Sequence, residues 1–376
     1  MEMNRPSRIL IGAIAVAASL AAAAQQKGRP PVVIGQTYVQ TGPLAALSTE
    51  PLTGIRAMLE ATNARGGIHG RQLELRQADD GNDAERAAAN VRKFAAEGAV
   101  ALLTPIGTTS SVGALAAANE VKVPLVAPYT GAAPVVKYTP YGFPLRISFE
   151  EEYSRIVNHL FTIGLTRIAF AHNDNPGARS AMEATRKLVE QRGQKMLGSA
   201  AIQQDGADAA AKAQELAALK PNAVVLSATN AVAAKFIQAY RAGGAEARFY
   251  SFSFLNGQGL YKSIGADAAG VVVSQVVPYP WNAAIPLIAE YQSAMKKIGE
   301  NNFSYGSLEG YINMKVVVEA LKRAGSSPTP DSVKAALETL KSHDLGGLFV
   351  KYTPAEHTGL TFSELSMIKK DGGYAR

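Results

Sequence analysis

Residues 100–128 read VALLTPIGTTSSVGALAAANEVKVPLVAP, and this stretch decides the fold. It opens on 100–105, an unbroken apolar run too short for an independent helix. An alanine-rich helical stretch follows over 110–119, and a second apolar run covers 124–128. Neither run alternates polar with apolar residues, as parallel strands buried on both faces need not. The reading is therefore strand, helix, strand.

The same unit recurs outward in both directions. Strands are expected at 32–38, 73–79, 100–105, 124–128, 167–172, 199–203, 223–229, 248–254 and 270–277. Helices are expected between them at 52–63, 84–97, 110–119, 151–163, 178–192, 209–219 and 231–242. Several close on glycine, as Gly66-Gly67 does after the helix at 52–63. Alternating strands and helices predict an α/β fold with parallel sheets and right-handed crossovers. No GxGxxG follows the first strand, so nothing marks a dinucleotide site.

The series does not read as one sheet. Residues 138–148 (YTPYGFPLRIS) break it with two prolines and a glycine, and 277–285 (VPYPWNAAI) break it again. Helices are then expected at 307–325 and 331–340, with antiparallel strands in 346–370 around 353–359. Two lobes follow: 32–147 with 278–350, and 148–277 with 351–376. Lobes joined by short segments leave a cleft, and ligands of open α/β sheets lie beyond the carboxyl ends of the strands.

The chain has 376 residues, enough for two cores, with 47% hydrophobic and 18% charged residues, an ordinary globular balance. Its formal charge is +7, but the basic residues form no patch beyond the pairs at 296–297 and 369–370. Nucleic acid is therefore not expected as a partner, although a basic surface favours anions. Cysteine is absent, which excludes disulfides, thiolate metal sites, cysteine nucleophiles and a lipid-modified N-terminal cysteine. Arg5 and Arg8 precede an apolar run over 9–24 ending in Ala22-Ala23-Ala24, the pattern of a cleaved export signal. That run is short of the roughly 20 residues a membrane span needs. An uncleaved anchor is the alternative.

Function should lie after the strands. In 104–111 (TPIGTTSS), four consecutive hydroxyl residues open a helix, more than one N-cap requires. Thr108, Thr109 and Ser110, with the free amides of a helix start, suit a carboxylate or phosphate. Capping plus solvation is the other reading of that run. The loop after the next strand carries Tyr129, Thr130 and Gly131, whose backbone could approach a ligand. Enzyme patterns are missing: no HExxH, no GxSxG and no P-loop. His172 ends a strand and reads as structural. Asp79 and Asp80 are adjacent on a strand, point to opposite faces and cannot share a proton. No catalytic residue, metal or cofactor is expected.

Several stretches resemble one family. Ile34-Gly35 with 40–45 (QTGPLA), and above all 63–75 (NARGGIHGRQLEL) leading to Asp79-Asp80, are similar to periplasmic leucine/isoleucine/valine-binding proteins. The hydroxyls at 108–111 and the helix start at 308–311 (LEGY) fall in matching places. The resemblance implies a type I binding protein: two Rossmann-like lobes with parallel sheets, joined by three hinge strands, closing on a buried ligand. It implies a hydroxyl contact from Thr108 or Thr109 and backbone contacts from 129–132. By position it also places Leu47, Pro176, Thr229 and Phe303 near the pocket. It implies a monomeric periplasmic component of an ABC importer, partnered by a membrane permease. The ligand would be a branched-chain amino acid or a related aliphatic or aromatic acid. A receptor subunit that signals to a partner is the alternative.

Three positions depart from the family. Ser253-Phe254-Leu255 stands where amino-acid binders hold the ammonium with an acid, and Leu47 and Pro176 replace tyrosines. A buried ammonium needs a paired charge or several acceptors. With Phe254, Phe303, Tyr129 and Tyr305 nearby, the expectation is an uncharged or aromatic acid in preference to an α-amino acid.

Overall fold

The computed structural model describes residues 29–42 and 44–376; the export segment expected at 1–24 lies outside them. The first lobe runs β1 (Val32–Tyr38), α1 (Thr49–Ala64), β2 (Leu73–Asp79), α2 (Ala84–Ala96), β3 (Ala101–Leu103), α3 (Thr108–Val121), β4 (Leu125–Val126), α4 (Ala133–Val136) and β5 (Gly142–Phe143). The second runs α5 (Phe149–Thr162), β6 (Ile168–Asn173), α6 (Pro176–Glu190), β7 (Gly198–Ile202), α7 (Ala209–Ala218), β8 (Ala223–Ser227), α8 (Asn230–Ala242), β9 (Arg248–Ser251), α9 (Gly257–Ile264) and β10 (Val272–Gln275). The chain then returns through α10 (Pro286–Lys297), α11 (Tyr305–Ala324), α12 (Pro330–Leu337), β11 (His343–Asp344), β12 (Phe349–Thr353) and β13 (Glu356–Gly359). It ends in β14 (Glu364–Ile368) and β15 (Tyr374–Ala375).

The two sheets share one plan. The first has the order β2-β1-β3-β4-β5, all parallel. The second has β7-β6-β8-β9-β10 parallel in the same order, extended by antiparallel β14 and β15. In that order the winding direction reverses between β1 and β3, and again between β6 and β8. Such switch points are where doubly wound sheets open a crevice for ligand.

Apolar strand residues serve both faces, as the unbroken runs require. On β3, Ala101 and Leu103 pack on the side of Ile55, Met58 and Phe143, while Leu102 packs with Val91, Phe94 and Leu115. In the second lobe Phe170 and Val225 join Tyr153, Ile156 and Tyr250 on one face, and their strand neighbours pack on the other.

The most distinctive sequence stretch, 63–75, is explained by folding. The Asn63 side chain brackets the start of β2, donating to the Leu73 carbonyl (2.9 Å) and accepting from the Leu73 amide (2.8 Å). Gly67 has φ 74°, and a Cβ there would lie 1.9 Å from the Arg71 carbonyl oxygen. Only glycine closes that turn. Asp79 accepts from the Gln40 amide (2.7 Å) and the Thr41 hydroxyl (2.5 Å). Asp80 accepts from Thr37 (2.7 Å) and Ser110 (2.6 Å). The aspartates tie strand-end loops together.

Several expected strands overran at their carboxyl ends, while those at 32–38 and 73–79 ended as expected. β3 and β4 stop at Leu103 and Val126 because the next residues, Thr104 and Ala127, turn to φ 45° and 53°, and Pro105 and Pro128 bring no amide to a ladder. Helices α9 and α10 were not read from the sequence. Glycines 257 and 259 mask the first, and Pro286 masked the second although it begins the helix at N1. The last return crossing also lies later than the sequence division at 350/351. Tyr352 donates to the Pro144 carbonyl (2.9 Å), and a His357 ring nitrogen lies 2.7 Å from the Gly142 carbonyl oxygen. Residues 351–359 thus pack beside β5, and the chain joins the second sheet only at β14.

Candidate ligand site

The first-lobe wall is built from the ends of β3 and β4. The left-handed backbone at Thr104 and Ala127 is costly for residues with a Cβ and persists only where the surroundings impose it, a hallmark of built sites. Asn313 Nδ2 donates to Thr104 Oγ1 (3.2 Å), and the Gln36 amide donates to its carbonyl (3.3 Å), which holds the turn. Gly107, φ 88°, then launches α3, with a would-be Cβ only 2.9 Å from Asn82 Oδ1.

The four hydroxyls at this helix start divide into two pairs. Ser110 is buried against Asp80, and Ser111 donates to the Pro105 carbonyl (3.2 Å). Thr108 and Thr109 stay exposed. Thr108 Oγ1 lies 2.9 Å from Thr130 Oγ1, so the loops after β3 and β4 present a joined hydroxyl pair. Thr130 also accepts from the Ala132 amide (3.2 Å). Gly131 serves packing: a Cβ there would lie 2.8 Å from the Ile147 carbonyl oxygen and the Phe149 ring.

The second-lobe wall uses equivalent strand ends. Pro176 is exposed at N1 of α6, with Asn175 capping the Ala178 amide. Thr229 is the N-cap of α8, its amide donating to Asn173 Oδ1 (2.8 Å). Phe254 stacks on Phe252, ring centres 5.7 Å apart.

Between the lobes lies a cavity of about 50 Å³. Leu47, Glu50, Tyr129 and Glu309 line it from the first lobe; Phe254 and Gln258 line it from the second. Of the residues expected from sequence, Leu47, Tyr129 and Phe254 meet there. Thr108, Thr109, Ser110, Thr130, Gly131, Pro176 and Thr229 stand at the strand and helix ends but do not line it. Phe303 does not line it: its ring packs on Tyr291 (5.7 Å), and its carbonyl accepts from the lining residue Gln258 through Nε2 (3.3 Å).

A family model described as periplasmic binding protein matches residues 31–372. The chain belongs to the periplasmic binding protein family. It is 26% identical over 335 residues to a Leu/Ile/Val-binding protein homolog of Brucella suis, covering 83% of this chain and 81% of that one. Its fold matches a substrate-binding periplasmic protein of Ralstonia solanacearum with TM-score 0.84 and 28% identity, covering 91% and 99% of the two chains. An extracellular ligand-binding receptor from Verminephrobacter eiseniae matches at TM-score 0.84 and 27% identity, covering 92% and 100%. The two-lobed α/β architecture read from the sequence is the fold of these periplasmic binding proteins. Among the described residues no helix is long and apolar enough to cross a membrane.

In this member of the family a charged network, not foreseen from sequence, crosses the hinge beside the cavity. Arg146, on the first crossing segment, makes a two-pronged pair with Glu309 of α11 (2.8 and 2.6 Å), both side chains at most 7% exposed. Its guanidinium also lies 4.3 Å from the Tyr129 ring centre and donates to Ser253 Oγ (3.2 Å). The Ser253 amide and hydroxyl in turn donate to Glu152 of α5 (2.8 Å each). Burial alone would lower the Arg146 guanidinium, but Glu309, Tyr129 and Glu152 outweigh it and hold it above its ordinary value. Burial pushes the Glu309 carboxyl up, partly countered by Arg146. The signal was present as isolated charges in apolar runs, Arg146 in FPLRIS and Glu309 in SLEGYINM, but linear spacing does not pair them.

Glu152 gives the fold a pH dependence. Burial raises its carboxyl to about 7, against the opposing pull of Arg146 and the Ser253 hydrogen bonds. A carboxyl raised above its unfolded value contributes stability that is full below the unfolded value near 4.5 and is lost as pH rises through 7. Urea midpoints at pH 5 and pH 8 should therefore show a decline in the native protein, on the order of 2 kcal/mol, that Glu152→Gln removes. An equal decline in both proteins would exclude Glu152 as its source.

Proposed function

We propose that this chain captures a small carboxylate-bearing solute between its lobes in the periplasm and presents it to the permease of an ABC importer. A branched-chain amino acid or a related aliphatic or aromatic acid is the ligand class. One observation carries the reading: at the switch point of the first sheet, the start of α3 carries the exposed Thr108 bonded to Thr130, next in sequence to the cavity-lining Tyr129.

The amides of residues 108–110 begin a 14-residue helix and have no backbone acceptor among the described residues. Such amides carry partial positive charge and favour an anionic oxygen. The bonded Thr108–Thr130 pair keeps one hydroxyl hydrogen free as a further donor at the same place. In the second lobe, the helix starts after β6 and β8 carry Pro176 and Thr229. A solute that touches both walls favours the closed arrangement by its differential affinity, which shifts the population toward it. A monomer suffices, since one chain supplies both walls. Export through the segment at 1–24 would place it in the periplasm.

Thermal-shift screening with aliphatic and aromatic carboxylates, followed by calorimetry on those that stabilise, tests the reading. The double variant Thr108→Ala/Thr109→Ala should bind such a ligand about 1–3 kcal/mol more weakly, through lost charge-assisted hydrogen bonds. Unchanged affinity would remove this helix start from the site.

A further inference from the structure

The cavity wall carries a negative charge that the fold does not neutralise. Glu50, the second residue of α1, lines the cavity, and its Oε1 accepts from Asn256 Nδ2 across the cleft (2.8 Å). It has no cationic partner among the described residues. Glu309, the other lining carboxylate, is committed to Arg146. Arg146 must also answer Glu152, so no cation on this wall is left over for Glu50. A part-buried carboxylate that lines a cavity and is hydrogen-bonded there by a neutral amide still has its charge unpaired, and a cation brought to it makes a charge-assisted contact.

A second acceptor waits in the same place. Gln258 Oε1 is buried, lines the cavity and receives no hydrogen bond. The side-chain amide cannot be turned round to change this, because its nitrogen donates to the Phe303 carbonyl, which can only accept. An orphaned buried acceptor lining the same cavity as an unpaired carboxylate calls for a group with several N–H donors and a positive charge.

We infer that Glu50 supplies the counter-charge for a protonated nitrogen of the bound solute, with Gln258 Oε1 as a second acceptor. This deepens the proposed function and rests on its carboxylate reading: the ligand carries an anionic end toward α3 and a cationic nitrogen toward the inner cavity. It also replaces the expectation drawn from Ser253-Phe254-Leu255. The loop after β9 holds no acid, but the acid comes from the facing lobe, on a helix that sequence position gave no reason to single out.

The test compares pairs that differ only in the ammonium group. Calorimetry on the full chain would use L-leucine against 4-methylpentanoate, and L-phenylalanine against 3-phenylpropanoate. In at least one pair the ammonium-bearing member should bind about tenfold or more tightly, and Glu50→Gln should cut that ratio by about tenfold. Glu50→Asp should restore part of it, and melting temperatures establish that both variants are folded. A ratio near one in the native protein overturns the inference while leaving the carboxylate reading standing. So does a ratio that Glu50→Gln leaves unaltered, since a mere strap between lobes weakens both members alike. Failure of all four compounds to bind overturns the carboxylate reading, and the Glu50 inference with it.

Discussion

Replacing Glu309 with alanine should lower the unfolding free energy by about 3–5 kcal/mol, the cost of leaving a buried guanidinium without its counter-charge. Arg146 is 2% exposed and cannot reach water by a change of rotamer alone. Of its remaining neighbours, Ser253 Oγ and the Tyr129 ring carry no full charge, and Glu152 makes no ion pair with it, standing behind Ser253. The converse experiment separates charge from packing. Replacing both partners together, Arg146→Met with Glu309→Leu, should recover most of the loss, because apolar groups of similar volume need no pairing. Chemical denaturation of the three proteins decides it. If Glu309→Ala costs no more than an exposed ion pair, under about 1 kcal/mol, the pair is not desolvated as described. The double variant should still bind differently from the native protein, since the network joins the first crossing segment to both lobes.

Gly310→Ala should destabilise by about 3 kcal/mol even though alanine is the better helix former. Helices α1 and α11 cross with their backbones in contact. A Cβ on Gly310 would lie 2.0 Å from the Pro51 carbonyl oxygen, and a Cβ on Gly54 would lie 1.8 Å from the Ser307 carbonyl oxygen. No side chain can rotate away to relieve backbone atoms, so the helices must separate, at the upper end of the usual cost of overpacking. The gain of about 1 kcal/mol in intrinsic helix preference offsets only part of that strain. Separation would also move Glu50 relative to Glu309, since each helix carries one of them. The variant should therefore lose ligand affinity as well as unfolding free energy. A variant as stable as the native chain would mean that the two helices are not so close.

Strand and helix order were legible because both lobes use unbroken apolar runs, and the pattern of a buried parallel strand does not depend on its partners. The breaks at 138–148 and 277–285 marked two of the crossings for a similar reason: proline cannot continue a ladder. The final crossing was placed too early because β12 and β13 are short and their allegiance rests on Tyr352 and His357 reaching carbonyls 208 and 215 residues away. The hydroxyls at 108–111 were visible as a group, but their division into structural and exposed pairs depends on Asp80, brought by another strand. The charged residues of the cleft were least legible. Arg146, Glu152, Glu309 and Glu50 come from four separate segments, and only folding shows that Arg146 pairs directly with Glu309 and not with Glu50.

The central claim is that one chain supplies two walls that close on a solute. The chain contains no cysteine, so Glu85→Cys with Ala210→Cys would place spin labels at two unique exposed sites, on α2 of the first lobe and α7 of the second. Distances between the labels should be measured by pulsed electron resonance with and without the carboxylate that most raises the melting temperature. The account predicts a broad distribution that narrows and moves to shorter distance when the solute is added. One unshifted distribution, with the solute shown to be bound, would contradict it.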